Sequence, residues 1–397
     1  MSMSKPLAGY KVIEIGHSIA APYTGFILAE LGAEVIKVES PKGGDYARGW
    51  GPPFFDGAAS HFVALNRDKS SVTVDLSDDA ERARLRRLIL DEADAVICNL
   101  RAGVADRHGI GAAELTAAKP TLVYCEIGAF GSGGPLSDAP GYDPLMQAYG
   151  GIMSLTGESA ERPPLRVGVS IVDMGAGFWG AIGILARLLA RGRDGRGGIV
   201  ETSLFETALA WATVQIASVT IAPRVLKPMG SGASGIVPYQ AFCATDGWIV
   251  IGGGNDGLFA KLATALGHDE WICDPRFRTN ADRVVNREVL IPLIEAEMAG
   301  RSLCEARDLL DRHGVPNAPV QRVDQVIHDA QTRALGILQE AGPDALATVG
   351  LPLRFDGERP AYVRRAPRLG EHTREVFHTD AEPSGEAEMQ PEHGAPR

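Results

Sequence analysis

Aromatic residues make up only 6% of this 397-residue chain, and cysteine is scarcer still, at five. Cys98, Cys125, Cys243, Cys273 and Cys304 form no Cys-x-x-Cys pair. An odd, scattered set argues against a disulfide framework and for reduced, mostly buried thiols in a cytoplasmic protein. The nine histidines show no metal-ligand spacing, and His372 and His378 are six apart, on different helix faces. No metal site is expected. No run of about 18 apolar residues marks a membrane span. The opening MSMSKPLAGYKVIEIG has neither an apolar signal core nor an Arg-rich presequence. Positive charge is in deficit, with a formal net charge of −11. Nucleic acid is therefore excluded as a general partner, because binding it takes a basic field. A Gly-x-Ser-x-Gly nucleophile elbow is missing. Gly230–Gly235 (GSGASG) matches a dinucleotide fingerprint by letters only. A Lys-Pro-Met turn precedes it and an extended IVPYQAF follows, where the fingerprint needs a strand and a helix. It reads as a Gly-rich loop, which leaves little support for a nucleotide-dependent dehydrogenase.

What is present is the material of a two-domain enzyme. Hydrophobic content is 45% and charged content 22%, ordinary for a globular protein, and the length exceeds one typical domain. The first half alternates strand and helix. YKVIEIG, AEVIKVE, SVTVDL, DAVICNL and TLVYCEIGAFG read as strands, with helices in APYTGFILAELG and DDAERARLRRLILDEA. That order predicts a parallel α/β sheet, with ligands outside the carboxyl ends of its strands. Lys42, Arg48, Arg67, Lys69, Arg101 and Arg107 crowd into this half of an acidic chain, which points to an anionic ligand there. From about Val225 the texture changes to a Gly/Pro/Ser-rich stretch. DGWIVIGG then reads as a strand, and NDGLFAKLATALG, NREVLIPLIEAEMAG and SLCEARDLLDRHG as helices. The expected division is 1–224 for the first part of a large domain and 225–325 for a small α+β domain. Residues 326–378 return to the large domain, and 379–397 form a disordered tail.

Asp173 stands where RPPLRVGVSIVD meets MGAGFWGAIGILARLLAR. Val167, Val169, Ile171 and Val172 make the first segment read as extended. Phe178, Ile182, Leu185 and Leu189 recur at helix-face spacing in the second. An aspartate at that junction is a natural N-cap, held ionised by the helix end. Gly175 and Gly177 leave room for a bulky ligand beside it.

The chain resembles the class III coenzyme A transferases, the family of formyl-CoA transferase and carnitine CoA-transferase. The resemblance runs from about Lys5 to Phe377. PLAGYKVIEIG, LAELGAEVIKVESPKGGDYARGWGPPF, LNRDKSSVTVDL, YDPLMQAYGGIMSLTGE, PPLRVGVSIVDMGAGFWGAIGILARL and HGVPNAPV carry it, in that order. It implies a Rossmann-like large domain built from both chain ends, a smaller α+β middle domain and an interlocked homodimer. It also implies transfer of CoA between two carboxylic acids, with the CoA thioester as a substrate and no cofactor or metal. By matching position Asp173 becomes the nucleophile, passing through an aspartyl anhydride and an aspartyl-CoA thioester. His17, Ser18, Leu65, Lys69, Asn99, Leu100 and Arg107 become CoA-binding residues, with Arg107 facing phosphate and Lys69 near the nucleotide. Family habit suggests succinyl-CoA or another small dicarboxylyl-CoA as donor. His17 stands where formyl-CoA transferase has glutamine, and Ser70 where relatives often have a basic residue. α-Methylacyl-CoA racemases share the fold and need a His base in the segment that here reads PGYDPLMQAYGG. Tyr142 stands in its place, and a tyrosine of pKa about 10 is a poor base. Racemisation or epimerisation is therefore the second reading.

Overall fold

The computed structural model describes residues 5–223, 225–340 and 346–378, so the expected tail from Thr379 lies outside the described residues. The chain divides into two compact units. One holds Met1–Pro140, Asp173–Ser203 and Gln339–Arg397, the other Gly141–Val172 and Leu204–Leu338. The boundaries differ from those expected at 224 and 325. Residues 141–172 and 204–224 fall in the second unit, and two helices there pack closely on each other. A Cβ placed on Gly150, just after Asp143–Tyr149, would sit 2.5 Å from Ala208 Cβ in Leu204–Trp211. The Gly/Pro/Ser-rich composition near Val225 marks a loop inside the second unit, not its edge.

The first unit is a six-stranded parallel sheet. Its strands are β1 (Lys11–Ile15), β2 (Glu34–Glu39), β3 (Lys69–Thr73), β4 (Ala95–Cys98), β5 (Val123–Gly128) and β6 (Gly198–Ser203). They lie in the order β3-β2-β1-β4-β5-β6. This is the order of the dinucleotide-binding fold, whose switch point lies between the first and fourth strands. Five strands were legible because strands covered on both faces read as short apolar runs. β6 was not, because it is an edge strand whose residues alternate between exposed and half-buried. The core beneath gathers Ile13, Ile36, Val72, Leu85, Ile89, Val96 and Tyr124. The other edge, β3, is covered by the C-terminal residues. His372 N–H donates to Ser71 O at 2.9 Å, and Thr73 N–H to Thr373 Oγ1 at 3.0 Å.

The long helix Ile171–Asp194 covers one face of this sheet. By length and composition alone it could cross a membrane, which corrects the expectation that no segment could. Its packing is that of a sheet-covering helix. A Cβ on Gly177 would meet Ala20 O at 2.5 Å, one on Gly180 Thr24 Oγ1 at 2.9 Å, and one on Gly183 Val200 Cγ1 at 2.4 Å. The sheet-facing residues are thus these glycines with Ala176, Ala181, Ile184 and Leu188. Phe178, Ile182 and Leu189, the face picked out by spacing, point outward and are exposed. The segment before the helix is not a strand. Arg162, Pro163, Pro164 and Gly168 break it up, and the Val167 N–H bonds the Gln147 side chain instead of a ladder.

The second unit carries a three-stranded antiparallel sheet of β7 (Tyr239–Ala244), β8 (Gly247–Gly252) and β9 (Asn317–Pro319), with β8 in the centre. The helices Asp256–Leu266, Arg287–Ala299 and Leu303–Arg312 accompany it. Phe242, Ile249, Phe259, Leu262, Phe277, Leu290, Ile294 and Leu310 form its core. The Gly230–Gly235 loop accepts hydrogen bonds from neighbouring side chains. Arg287 donates to Ala233 O and Ser234 O at 3.1 and 3.0 Å, and Asn280 to Gly235 O at 2.9 Å.

Candidate active site

β1 ends at Ile15 and β4 at Cys98, side by side at the switch point, and their loops are joined. His17 N–H donates to Asn99 Oδ1 at 3.0 Å, and Asn99 Nδ2 returns a bond to His17 O at 2.9 Å. Ser18 adopts a left-handed φ of 71°. Its N–H donates to Asp45 Oδ1 at 2.8 Å, which ties the loop after β2 to the same place. His17 Nδ1 lies 2.9 Å from Ser18 Oγ. The Tyr46 ring meets the imidazole edge-on, with centroids 4.9 Å apart. Burial lowers the His17 pKa, with Asp45 opposing and Lys37 assisting, which favours the neutral ring. The site therefore gathers an imidazole, a hydroxyl and two loop backbones.

Beneath the loops lies a cluster of buried charge. Lys37 Nζ donates to Glu14 Oε1 at 2.7 Å and to Gly16 O at 2.9 Å, and it lies 2.8 Å from Asp45 Oδ2. Lys69 Nζ donates to Glu14 Oε2, Pro22 O and Asn66 Oδ1 at 2.7, 2.8 and 2.9 Å. Both lysine side chains are fully buried. Paired charge of this kind is tolerated only when every partner is in place. Burial pushes the Lys69 ammonium down to about 8, with Glu14 opposing and Lys37 assisting. Lys37 goes the other way, since Glu14, Asp45 and Glu39 outweigh its burial. All three Lys69 donors are spent inside the protein, which leaves none over for the contact with the nucleotide of CoA that the resemblance implies. Lys69 is a strut under the loop.

The remaining expected residues fall in varied surroundings. Leu65 is half-buried at the end of the helix Ser60–Leu65. Leu100 follows Asn99 and packs against the sheet core. Arg107 closes the short helix Val104–Arg107 and is exposed. No carboxylate pairs with it among the described residues, which leaves it suited to an anion. Asp173 lies in the first turn of the long helix, inside it rather than at the cap. One turn on, Gly177 O accepts from Thr24 Oγ1 at 2.9 Å, so this turn packs on the start of the helix that follows the His17 loop. The start of a helix is its positive end, where negative charge is favoured.

Several residues that shape the site escaped the sequence reading. Glu14 and Lys37 were visible as charges inside otherwise apolar central strands, a pattern that marks buried ion pairs. Asp45 and Tyr46 lay in a loop legible only as polar and Gly-rich. The thiols are also not as expected, since Cys243, Cys273 and Cys304 are exposed. Cys98 and Cys125 are buried, and burial raises them to about 11 and about 12, so neither supplies a ready thiolate. No group of side chains suited to a metal ion occurs among the described residues.

Three comparisons place this geometry among known proteins. The model of CoA-transferase family III matches residues 7–373. The mouse succinyl-CoA:glutarate CoA-transferase (Mus musculus) is 32% identical over 94% of this chain and 86% of its own length. The succinate–glutarate CoA-transferase of Agrobacterium fabrum is 33% identical over 94% of this chain and 95% of its own length. Among solved structures, a CAIB/BAIF family protein from Brucella suis superposes with a TM-score of 0.85 at 37% identity, covering 95% of this chain and 99% of that one. The chain belongs to CoA-transferase family III and is an enzyme that transfers CoA.

Proposed function

We propose that this enzyme moves CoA between two small carboxylic acids, with Asp173 as the nucleophile. The single observation behind this reading is Asp173 in the first turn of the long helix, one turn before Gly177, whose carbonyl accepts from Thr24 in the helix that follows the His17 loop. The donor acyl-CoA is attacked at its thioester carbonyl by a carboxylate oxygen of Asp173. The C–S bond breaks, CoA leaves as thiolate and a mixed anhydride remains. The thiolate then attacks the aspartyl carbonyl, releasing the donor acid and leaving an aspartyl-CoA thioester. The acceptor carboxylate attacks that thioester, and the expelled thiolate finally attacks the acceptor's acyl carbonyl. Asp173 is regenerated and no electron is gained or lost, so the sequence calls for no redox cofactor.

Asn99, His17 and Ser18 are assigned to the wall of the CoA pocket, and the exposed Arg107 to its phosphates. Relatives whose names specify succinate and glutarate favour short dicarboxylates, with succinyl-CoA as donor. A homodimer fits the apolar outer face of the long helix. Phe178, Ile182 and Leu189 are all exposed in the single chain, and such a patch marks an interface. The cytoplasm is the proposed site of action.

The test is CoA exchange between succinyl-CoA and a panel of short diacids in deuterated water. CoA should pass to one or more of them in a ping-pong pattern. A 2-methylacyl-CoA in the same medium should gain no α-deuterium at a catalytic rate, because Tyr142 is a poor substitute for a histidine base. Rapid α-deuteration without CoA exchange would reverse the ranking of transferase over racemase.

A further inference from the structure

The approach to Asp173 is gripped by a buried relay. Asp143 and Gln147 sit one turn apart on the helix Asp143–Tyr149, and both are buried. Gln147 Oε1 accepts from the Val167 backbone N–H at 2.8 Å. Gln147 Nε2 donates to Asp143 Oδ2 at 2.6 Å. Asp143 Oδ1 accepts from the Val172 N–H at 2.8 Å. Val172 immediately precedes Asp173, and its amide lies in the first helical turn, where backbone donors have no intrahelical acceptor. The run begins and ends on a backbone donor. Between them stand an amide, which accepts and donates, and a carboxylate, which only accepts. Exchanging the two side-chain types keeps these three bonds satisfied; changing one alone does not.

We propose that Asp143 and Gln147 are positioning residues for the transfer reaction, fixing the Val167–Val172 segment and so the place from which Asp173 attacks. The proposal rests on the reading of Asp173 as nucleophile. Displacing a reacting group by about 1 Å can cost about 10²-fold in rate, so a buried clamp one residue away bears directly on kcat. Asp143→Asn sets two N–H donors against each other somewhere in the relay, whichever way the amides turn. Gln147→Glu sets two carboxylates face to face, a contact relieved when one takes up a proton. The protonated carboxyl then donates as the amide of Gln147 does.

The experiment compares Asp143→Asn, Gln147→Glu and the double exchange with the wild type. The readouts are kcat for CoA exchange across pH, CoA affinity by calorimetry, and thermal melting. Asp143→Asn should lower kcat by about tenfold or more, with CoA affinity changed less than about twofold. Gln147→Glu should be impaired at neutral pH and recover toward wild type, measured at the same pH, as the medium is acidified. The double exchange should regain most of the loss. A double variant no better than Asp143→Asn, or Gln147→Glu without acid recovery, overturns the proposal. So does a loss that follows melting or CoA affinity rather than kcat. Asp173→Asn is run alongside. If it keeps transfer activity, the nucleophile reading itself fails; if it is inactive while the exchange pattern is absent, only the positioning role fails.

Discussion

The loop after β1 and the segment leading into Asp173 are held by different chemistry. Under the loop, Lys37 and Lys69 meet Glu14 and Asp45 as buried ion pairs. Before Asp173, one carboxylate and one amide hold two backbone N–H groups. The first arrangement depends on charge balance and the second on hydrogen-bond polarity. A substitution that removes charge should therefore damage the loop through stability, whereas one that reverses polarity should damage the nucleophile's approach through rate. Loss of the Asp173 carboxylate should act mainly on chemistry.

Asp173→Asn gives the largest effect expected. A neutral amide cannot form the anhydride, so transfer should fall by at least about 10³-fold. The melting temperature should stay within a few degrees of wild type, because asparagine has nearly the same shape and its side-chain oxygen still accepts hydrogen bonds. Turnover assays with matched melts check both halves of this statement.

Lys37→Met is next and should act on stability. It leaves Glu14 and Asp45 without their shared cation in a buried site, which costs about 3–5 kcal/mol, measurable as a lowered urea midpoint. The same clamp has an acid limit. Burial works to raise the carboxyl groups of Asp45 and Glu39, but Lys37 at the first and Arg48 with Lys37 at the second hold both below their ordinary values. The unfolded chain binds those protons more readily than the folded one. The stability they lend is thus present above pH about 4 and lost as the pH falls below it. Lys37→Met should flatten that decline; an unchanged slope would show that the acid limit lies elsewhere.

Arg107→Ala should have the smallest effect. Losing one charge-assisted contact with phosphate should weaken CoA binding by about 1–3 kcal/mol, read by calorimetry, with melting unchanged. Lys69→Met sharpens the contrast. Its ammonium is enclosed by Glu14, Pro22 and Asn66, so its loss should lower the melting temperature, and CoA affinity only to the extent that the loop loosens.

The sequence made some of this legible and hid the rest for physical reasons. Strands covered on both faces announce themselves, so KVIEI, EVIKV and AVIC were plain. The edge strand Gly198–Ser203 was not, because its residues alternate between solvent and sheet. Spacing picked the Phe178–Leu189 face of the long helix as the important one, yet the sheet takes the glycine and alanine side. Helical periodicity marks apolar residues and is blind to close backbone approach. His17 and Asn99 were placed by resemblance, and the structure joins them by hydrogen bonds. Lys69 was placed by the same resemblance and is enclosed instead, since position along a chain does not say which way a side chain points. Asp143 was in view as part of PGYDPLMQAYGG, but its grip on Val172 spans 29 residues and leaves no local signature.

Trapping the covalent intermediate tests the central assignment most directly. The enzyme is incubated with succinyl-CoA and no acceptor, treated with hydroxylamine, digested and analysed by peptide mass. Asp173 should be recovered as the aspartyl hydroxamate, and the modification should be absent without succinyl-CoA and in Asp173→Asn. Acyl or CoA mass found instead on a serine, or on the exposed Cys243, Cys273 or Cys304, with Asp173 unmodified, would contradict the account.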